Sequence, residues 1–198
     1  MRRMASSNHS LRQQKRRQRR NLPACTQQQH ARAIGRRLHR QPAVRNAARL
    51  GCYLANDGEI ATDYLIETAW QRGQQIYLPV LSPLKNSLLF APYRPDSDMA
   101  CNRFSIAEPA CHAGHWLRAR QLDVILLPLV AFDEHGNRLG MGGGFYDRTL
   151  AFLKHRLHRR KPLLIGLAHE CQASDEIIAQ SWDVPLDAIA TEERFIRF

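Results

Sequence analysis

The run LDVILLPLVAF, residues 122–132, constrains the fold more than any other stretch of this chain. Its apolar part, from Val124 onward, is too short for a membrane span of about 20 residues and belongs to a strand buried on both faces. Such burial arises where helices cover either side of a mostly parallel sheet. The chain from Arg49 onward follows the same pattern: LGCYLA (50–55), QIYLPV (75–80), SLLFAPY (87–93), KPLLIGLAH (161–169) and DAIAT (187–191) read as strands. Between the first two, TDYLIETAWQRG predicts a helix capped by Thr62 and ended by Gly73, with Leu65, Ile66, Ala69 and Trp70 on one face. Strand, helix and strand form a β-α-β unit with a right-handed crossover. Arg94 to Cys111 reads as surface loop, YDRTLAFLKHRL as a helix with Leu150, Leu153 and Leu157 inward, and SDEIIAQ as a short helix capped by Ser174. The expected fold class is α/β, a three-layer α/β/α domain with a mixed, mostly parallel sheet and a basic N-terminal helix.

Charge is distributed unevenly. The formal net charge is +11, yet the first 50 residues hold 14 Lys and Arg with no acid, while the remainder holds 15 basic and 18 acidic side chains. The basicity therefore belongs to one segment. SLRQQKRRQRR (10–20) has good helix formers and a single apolar residue, which predicts a helix lying on a surface. Residues 1–9 are set apart as a disordered basic tail, with residues 10–198 as one domain. In TQQQHARAIGRRLHR, Thr26 and Gln29 suggest a capping box, and Ala31, Ile34 and Leu38 repeat at helical spacing. An arginine-rich arm can clamp nucleic acid, but the acidic remainder and the lack of an RRM, KH or OB aromatic pattern argue against that partner. The first 20 residues share arginine richness with organelle transit peptides and lack the apolar region of a secretory signal. A cytoplasmic monomer acting on small molecules is expected. Five scattered cysteines without a CxxC pair indicate neither a disulfide framework nor a zinc site. His112 with His115, and His155 with His158, lack a third ligand, and Cys171 has no histidine placed by sequence to activate it.

GNRLGMGGGFYDR (136–148) follows the strongest strand. Gly140, Gly142, Gly143 and Gly144 permit positive φ and bring backbone N–H groups close to an anion, ahead of a helix N-terminus. Arg138 and Arg148 suit phosphoryl oxygens, Asp147 suits magnesium, and Phe145 and Tyr146 offer flat faces for a ring. The loop matches neither G-x-x-x-x-G-K-[ST] nor G-x-G-x-x-G, so its residues by themselves define a generic anion site.

RLGMGGGFYDR, after LDVILLPLVAFDEHG, resembles the signature PxxAFDxxGxRLGxGxGYYDR of the 5-formyltetrahydrofolate cyclo-ligase family. DGEIATDYLIETAWQRGQQIYLPV, RFSIAEP, HECQ and SWDVPLDAIAT are similar to further segments of that family, so the likeness runs from Arg12 to Thr191. It implies an ATP-dependent, magnesium-requiring cyclisation of 5-formyltetrahydrofolate to 5,10-methenyltetrahydrofolate through a phosphorylated formyl group. It further implies that Asn8, Arg12, Arg138, Leu139, Gly140, Met141, Gly142, Gly143, Gly144, Phe145 and Tyr146 meet ATP. Leu54, Glu59 and Phe104 would meet the folate together with Met141 to Phe145, Asp147 and Asp183 would hold Mg2+, and Arg138 and Arg148 would stabilise charge. Two positions depart from the family. Gly143 stands where lysine is frequent, and Asn8 where a basic residue is usual.

Overall fold

The structure is a computed structural model that describes residues 2–83, 85–155 and 161–198. Leu157 and His158 lie outside the described residues. In chain order, α1 (Arg2–Arg20), α2 (Ala24–His39) and the single turn α3 (Pro42–Arg45) precede β1 (Arg49–Gly51). Helix α4 (Asp63–Gln71) leads to β2 (Gln75–Leu81), which turns back into β3 (Leu88–Tyr93). A hairpin of β4 (Met99–Cys101) and β5 (Ala107–Pro109) follows, then β6 (Val124–Pro128) and a small hairpin of β7 (Ala131–Phe132) and β8 (Arg138–Leu139). Helix α5 (Phe145–Leu150), β9 (Leu163–Leu167), β10 (Ala188–Ala190) and β11 (Phe195–Arg197) complete the chain.

Seven strands form one sheet in the order β11-β10-β9-β6-β1-β2-β3. The five central strands are parallel, and β3 and β11 join antiparallel at the two edges. Period-two alternation sends Val124, Leu126, Ile165, Leu167, Ala188 and Ala190 to one face, where Ile34 and Leu38 of α2 and Leu65, Ile66 and Ala69 of α4 cover them. Ile125, Leu127, Leu164 and Ile189 point the other way, under Leu150, Leu153, Val184 and Leu186. This is the expected three-layer arrangement. Its second helical layer is slight, because α5 has six residues and continues as a 3-10 turn, Ala151–His155.

From β1 the order runs outward through β2 and β3, and from β6 it runs the opposite way through β9 and β10. The reversal lies between β1 and β6. In an open α/β sheet, ligands bind outside the carboxyl ends of the strands at such a point. Two loops leave the sheet there: residues 52–62 after β1, and the chain that continues through β7 and β8 into the glycine run.

Several local expectations are corrected. Helix α2 starts at Ala24 behind Pro23 with no side-chain cap, so Thr26 and Gln29 form no capping box. Thr62 precedes α4 as expected but donates its hydroxyl to Tyr53 O (2.5 Å) in place of capping the helix. The β4–β5 hairpin occupies what reads as loop. SDEIIAQ is not a helix, with Ile177 N–H donating to the buried carboxylate of Asp133 at 3.1 Å. LGCYLA is a strand only to Gly51, after which Cys52 to Asn56 turn out toward the site.

Candidate functional site

The β7–β8 hairpin presents the glycine run. Asp133, almost fully buried, accepts from the N–H groups of His135 and Asn137 and from Asn137 Nδ2, which closes the turn. Beyond β8, Gly142 (φ 98°) and Gly144 (φ 63°) adopt the left-handed conformations that side chains disfavour. The run bends sharply and delivers Phe145 to the first turn of α5. Carbonyls on its outer side are taken: Gly140 O accepts from Arg12 Nε at 2.7 Å and Gly143 O from Arg148 Nη2 at 2.6 Å. Among the described residues, the N–H groups of Met141 to Gly144 donate to no protein acceptor. The loop thus offers unclaimed amides beneath two guanidinium groups, the arrangement an anion requires.

Helix α1 closes over this loop, lying on the surface as its composition predicts. It has almost no apolar face; it is held by cations on carbonyls and carboxylates. Asn8 Nδ2 donates to Ile178 O, and Lys15 Nζ to Cys171 O and Ala173 O at 2.9 and 2.5 Å. Arg19 is fully buried. Its Nε donates to Asp57 O, its Nη1 to Leu129 O just past β6, and its Nη2 to Asp57 Oδ2 at 2.8 Å. Arg16 donates to the same carboxylate, and Arg20 pairs with its other oxygen. Burial lowers the Arg19 pKa, with the charge of Glu59 opposing that shift.

Arg19 also joins the two loops of the site, since Nη2 lies 3.7 Å from Glu59 Oε1 and 4.0 Å from Met141 Sδ. Glu59 is largely buried, and burial raises its pKa against the pull of Arg19 and the Asn56 N–H. It feels Tyr53 and Tyr146, whose phenols burial shifts upward. Leu54, on the same loop, packs half-buried against the core. From the other side, the β4–β5 tip lays Phe104 edge-on against Phe145, centroids 5.8 Å apart. Phe104 is 51 % exposed, so that contact leaves most of the ring open.

The structure therefore gathers Arg12, Arg138, the glycine run, Phe145, Tyr146, Glu59 and Phe104 around one place. Arg138 is buried and paired with Asp147 Oδ1 at 2.6 Å. Arg148 braces the loop between Gly143 O and Asn86 O. Asp183 has different company from Asp147: it accepts from Gln180 N–H and lines a cleft with Lys154 and Leu186. Gly143 lacks the positive φ of its neighbours, and a Cβ there would meet the Phe145 ring at 3.0 Å. Sequence reasoning missed Arg19, Lys15 and Asp57. A signal was present in a long helix with no acid and no apolar stripe, which must find its partners among distant carbonyls and carboxylates.

Comparison with known proteins agrees with this geometry. A family model, described as the 5-formyltetrahydrofolate cyclo-ligase family, matches residues 4–192. The 5-formyltetrahydrofolate cyclo-ligase of Escherichia coli K12 is 42 % identical over 180 residues, covering 90 % of this chain and 97 % of that protein. That of Haemophilus influenzae is 41 % identical over 167 residues, covering 84 % and 87 %. The NMR structure of Aquifex aeolicus 5,10-methenyltetrahydrofolate synthetase superposes with a TM-score of 0.80 at 26 % identity, covering 96 % of this chain and 92 % of the other. With the family's match spanning nearly the whole sequence, both loops of the site included, the chain belongs to the 5-formyltetrahydrofolate cyclo-ligase family.

Proposed function

We propose that this protein converts 5-formyltetrahydrofolate to 5,10-methenyltetrahydrofolate at the expense of ATP, which leaves as ADP and phosphate. Support comes from the family and from one observation above all: unclaimed amides of the glycine run sit beneath Arg12 and are joined through Arg19 to a buried Glu59. A polyphosphate and a polar heterocycle thereby find complementary surfaces side by side.

The chemistry explains the need for both. A formamide oxygen is a poor leaving group. Transfer of the ATP γ-phosphoryl group to that oxygen makes an iminium phosphate; N10 of the folate attacks the activated carbon, loses its proton, and phosphate departs with the formyl oxygen. Alignment and charge neutralisation supply most of the acceleration in phosphoryl transfer. In this reading the amides of residues 140–144, Arg12 and Arg138 hold the phosphates, with Leu139 and Tyr146 behind them and Asn8 at the outer end. Glu59 accepts hydrogen bonds from the amino and ring N–H groups of the pterin, Leu54 packs beside it, and Phe104 and Phe145 flank the ring. Arg148 keeps the loop in its bent form.

Asp147 is a partly exposed carboxylate at the loop's end and suits a magnesium ion that neutralises phosphate charge, whereas Asp183, in its separate cleft, is assigned to that ion on the family resemblance alone. Bound there, the ion would screen the oxygens between which the phosphoryl group moves. Absorbance of the methenyl product, followed with purified protein, 5-formyltetrahydrofolate and Mg-ATP, tests the activity; a signal no greater than without enzyme refutes it. Asp147→Asn should reduce turnover about 10- to 100-fold at limiting magnesium while preserving the fold. Unchanged turnover across a magnesium titration would remove Asp147 from the metal site, and the same titration on Asp183→Asn decides the second position.

A further inference from the structure

Outside this site, three side chains from separate parts of the chain converge. His30 lies on α2, His169 two residues beyond β9, and Glu192 two residues beyond β10. Because β9 and β10 are parallel neighbours with Leu167 opposite Ala190, the topology carries positions 169 and 192 to the same edge. Helix α2 packs over that edge and supplies His30. The ligating atoms of all three lie within 4.8 Å of one another. His30 Nδ1 is 2.9 Å from His169 Nδ1 and 3.2 Å from Glu192 Oε1.

A proton accounts for this meeting poorly. His30 Nδ1 faces an imidazole nitrogen and a carboxylate oxygen, both able to accept, and carries at most one N–H to share between them. Lone pairs outnumber hydrogens at the centre of the cluster. The outer contacts hold the donors in place. Both Glu192 oxygens accept from Glu170 N–H at 3.2 and 3.0 Å, Arg37 donates to Glu192 O, and Gln172 Oε1 accepts from the His169 backbone N–H.

We propose that His30, His169 and Glu192 form a site for one divalent transition ion of the zinc class, which fastens α2 to the carboxyl ends of β9 and β10. Metal-to-ligand bonds of about 2.0–2.1 Å place neighbouring tetrahedral ligand atoms about 3.3 Å apart, close to the 2.9 and 3.2 Å that separate His30 Nδ1 from His169 Nδ1 and Glu192 Oε1. Two imidazoles and one carboxylate leave a fourth position for water. Imidazole nitrogen selects zinc, cobalt or copper over magnesium, so the ion that accompanies ATP does not compete here. Loading also orders the turn on which α1 rests, because Lys15 donates to Cys171 O within it.

The test uses the full chain, stripped with a chelator and titrated with Co2+. The expected result is one equivalent of a tetrahedral cobalt absorption, displaced by Zn2+, unaffected by a 100-fold excess of Mg2+, and accompanied by a higher melting temperature. His30→Gln and Glu192→Gln alter partly exposed ligands; with melting temperatures in chelator equal to the parent's, each should bind cobalt about 10- to 100-fold more weakly. No cobalt absorption, or absorption undiminished in both variants, would overturn the proposal and leave a hydrogen-bonded tie.

Discussion

Helices α1 and α2 are neighbours in sequence, both basic and both without acid, yet they dock by opposite means. Helix α2 presents Ala31, Ile34 and Leu38 to the sheet and keeps its arginines largely outside. Helix α1 sends its cations inward, with Arg19 wholly buried between Asp57, Leu129 O and Glu59. Apolar burial is non-directional and strengthens the whole fold, at about 25 cal/mol per Å². A buried guanidinium adds less net stability, since desolvation offsets its attraction, but it fixes where its partners sit. The difference teaches that α2 is part of the core and α1 is part of the site.

Arg19→Met should show the contrast most strongly. Removing the cation leaves Glu59 without its charged neighbour while Asp57 keeps Arg16 and Arg20, so the cost is at most about 3–5 kcal/mol, that of a broken buried pair. Hydrogen exchange should find the amides of α1 and of residues 54–59 deprotected while α2 stays protected, and the Michaelis constants for both substrates should rise. Equal deprotection of α2 would erase the distinction. Leu38→Ala is the reciprocal change, with an expected loss of about 2–5 kcal/mol in urea unfolding and little effect on the Michaelis constant for ATP in the folded fraction.

Acid tests a polar contact of α2. His169 titrates near 4 in the folded protein, below the 6.5 of a free imidazole. The unfolded chain therefore binds the proton first. The contribution of a neutral His169 is fully present above pH 6.5 and is lost as pH falls toward 4, on the order of 3 kcal/mol over that window. Denaturant midpoints of metal-free protein measured between pH 7 and 4 should fall more steeply than those of His169→Gln; parallel curves would refute the assignment.

The smallest effect is expected at the outer end of α1. Asn8 spends its amide on Ile178 O, at a position where the family resemblance leads one to expect a cation. Asn8→Lys should lower the Michaelis constant for ATP by a few-fold, roughly the 0.5–1 kcal/mol of a solvent-exposed ion pair. No change would place position 8 beyond the nucleotide.

The strands were legible because their signals are local. LDVILLPLVAF, QIYLPV and KPLLIGLAH carry unbroken apolar runs, and each contains an observed parallel strand. The glycine run was legible for a related reason, since its positive φ values fall on Gly142 and Gly144, residues whose chemistry permits them. Other local readings failed where a distant group competed. Asp133 draws in the Ile177 N–H and keeps SDEIIAQ out of a helix, and Tyr53 O claims the hydroxyl expected to cap α4. The β4–β5 hairpin escaped notice because β4 is wholly exposed and carries no apolar alternation.

From its sequence alone, this chain determined an α/β sheet with a bent, amide-rich loop beyond its strongest strand. Backbone propensity and the burial of adjacent apolar residues act over a few positions, and one dimension suffices to read them. Only the tertiary structure decided that Arg19 meets Asp57 across 38 positions and that His30 meets His169 across 139. Charges and lone pairs choose their partners by distance in space, and the strand order set those distances.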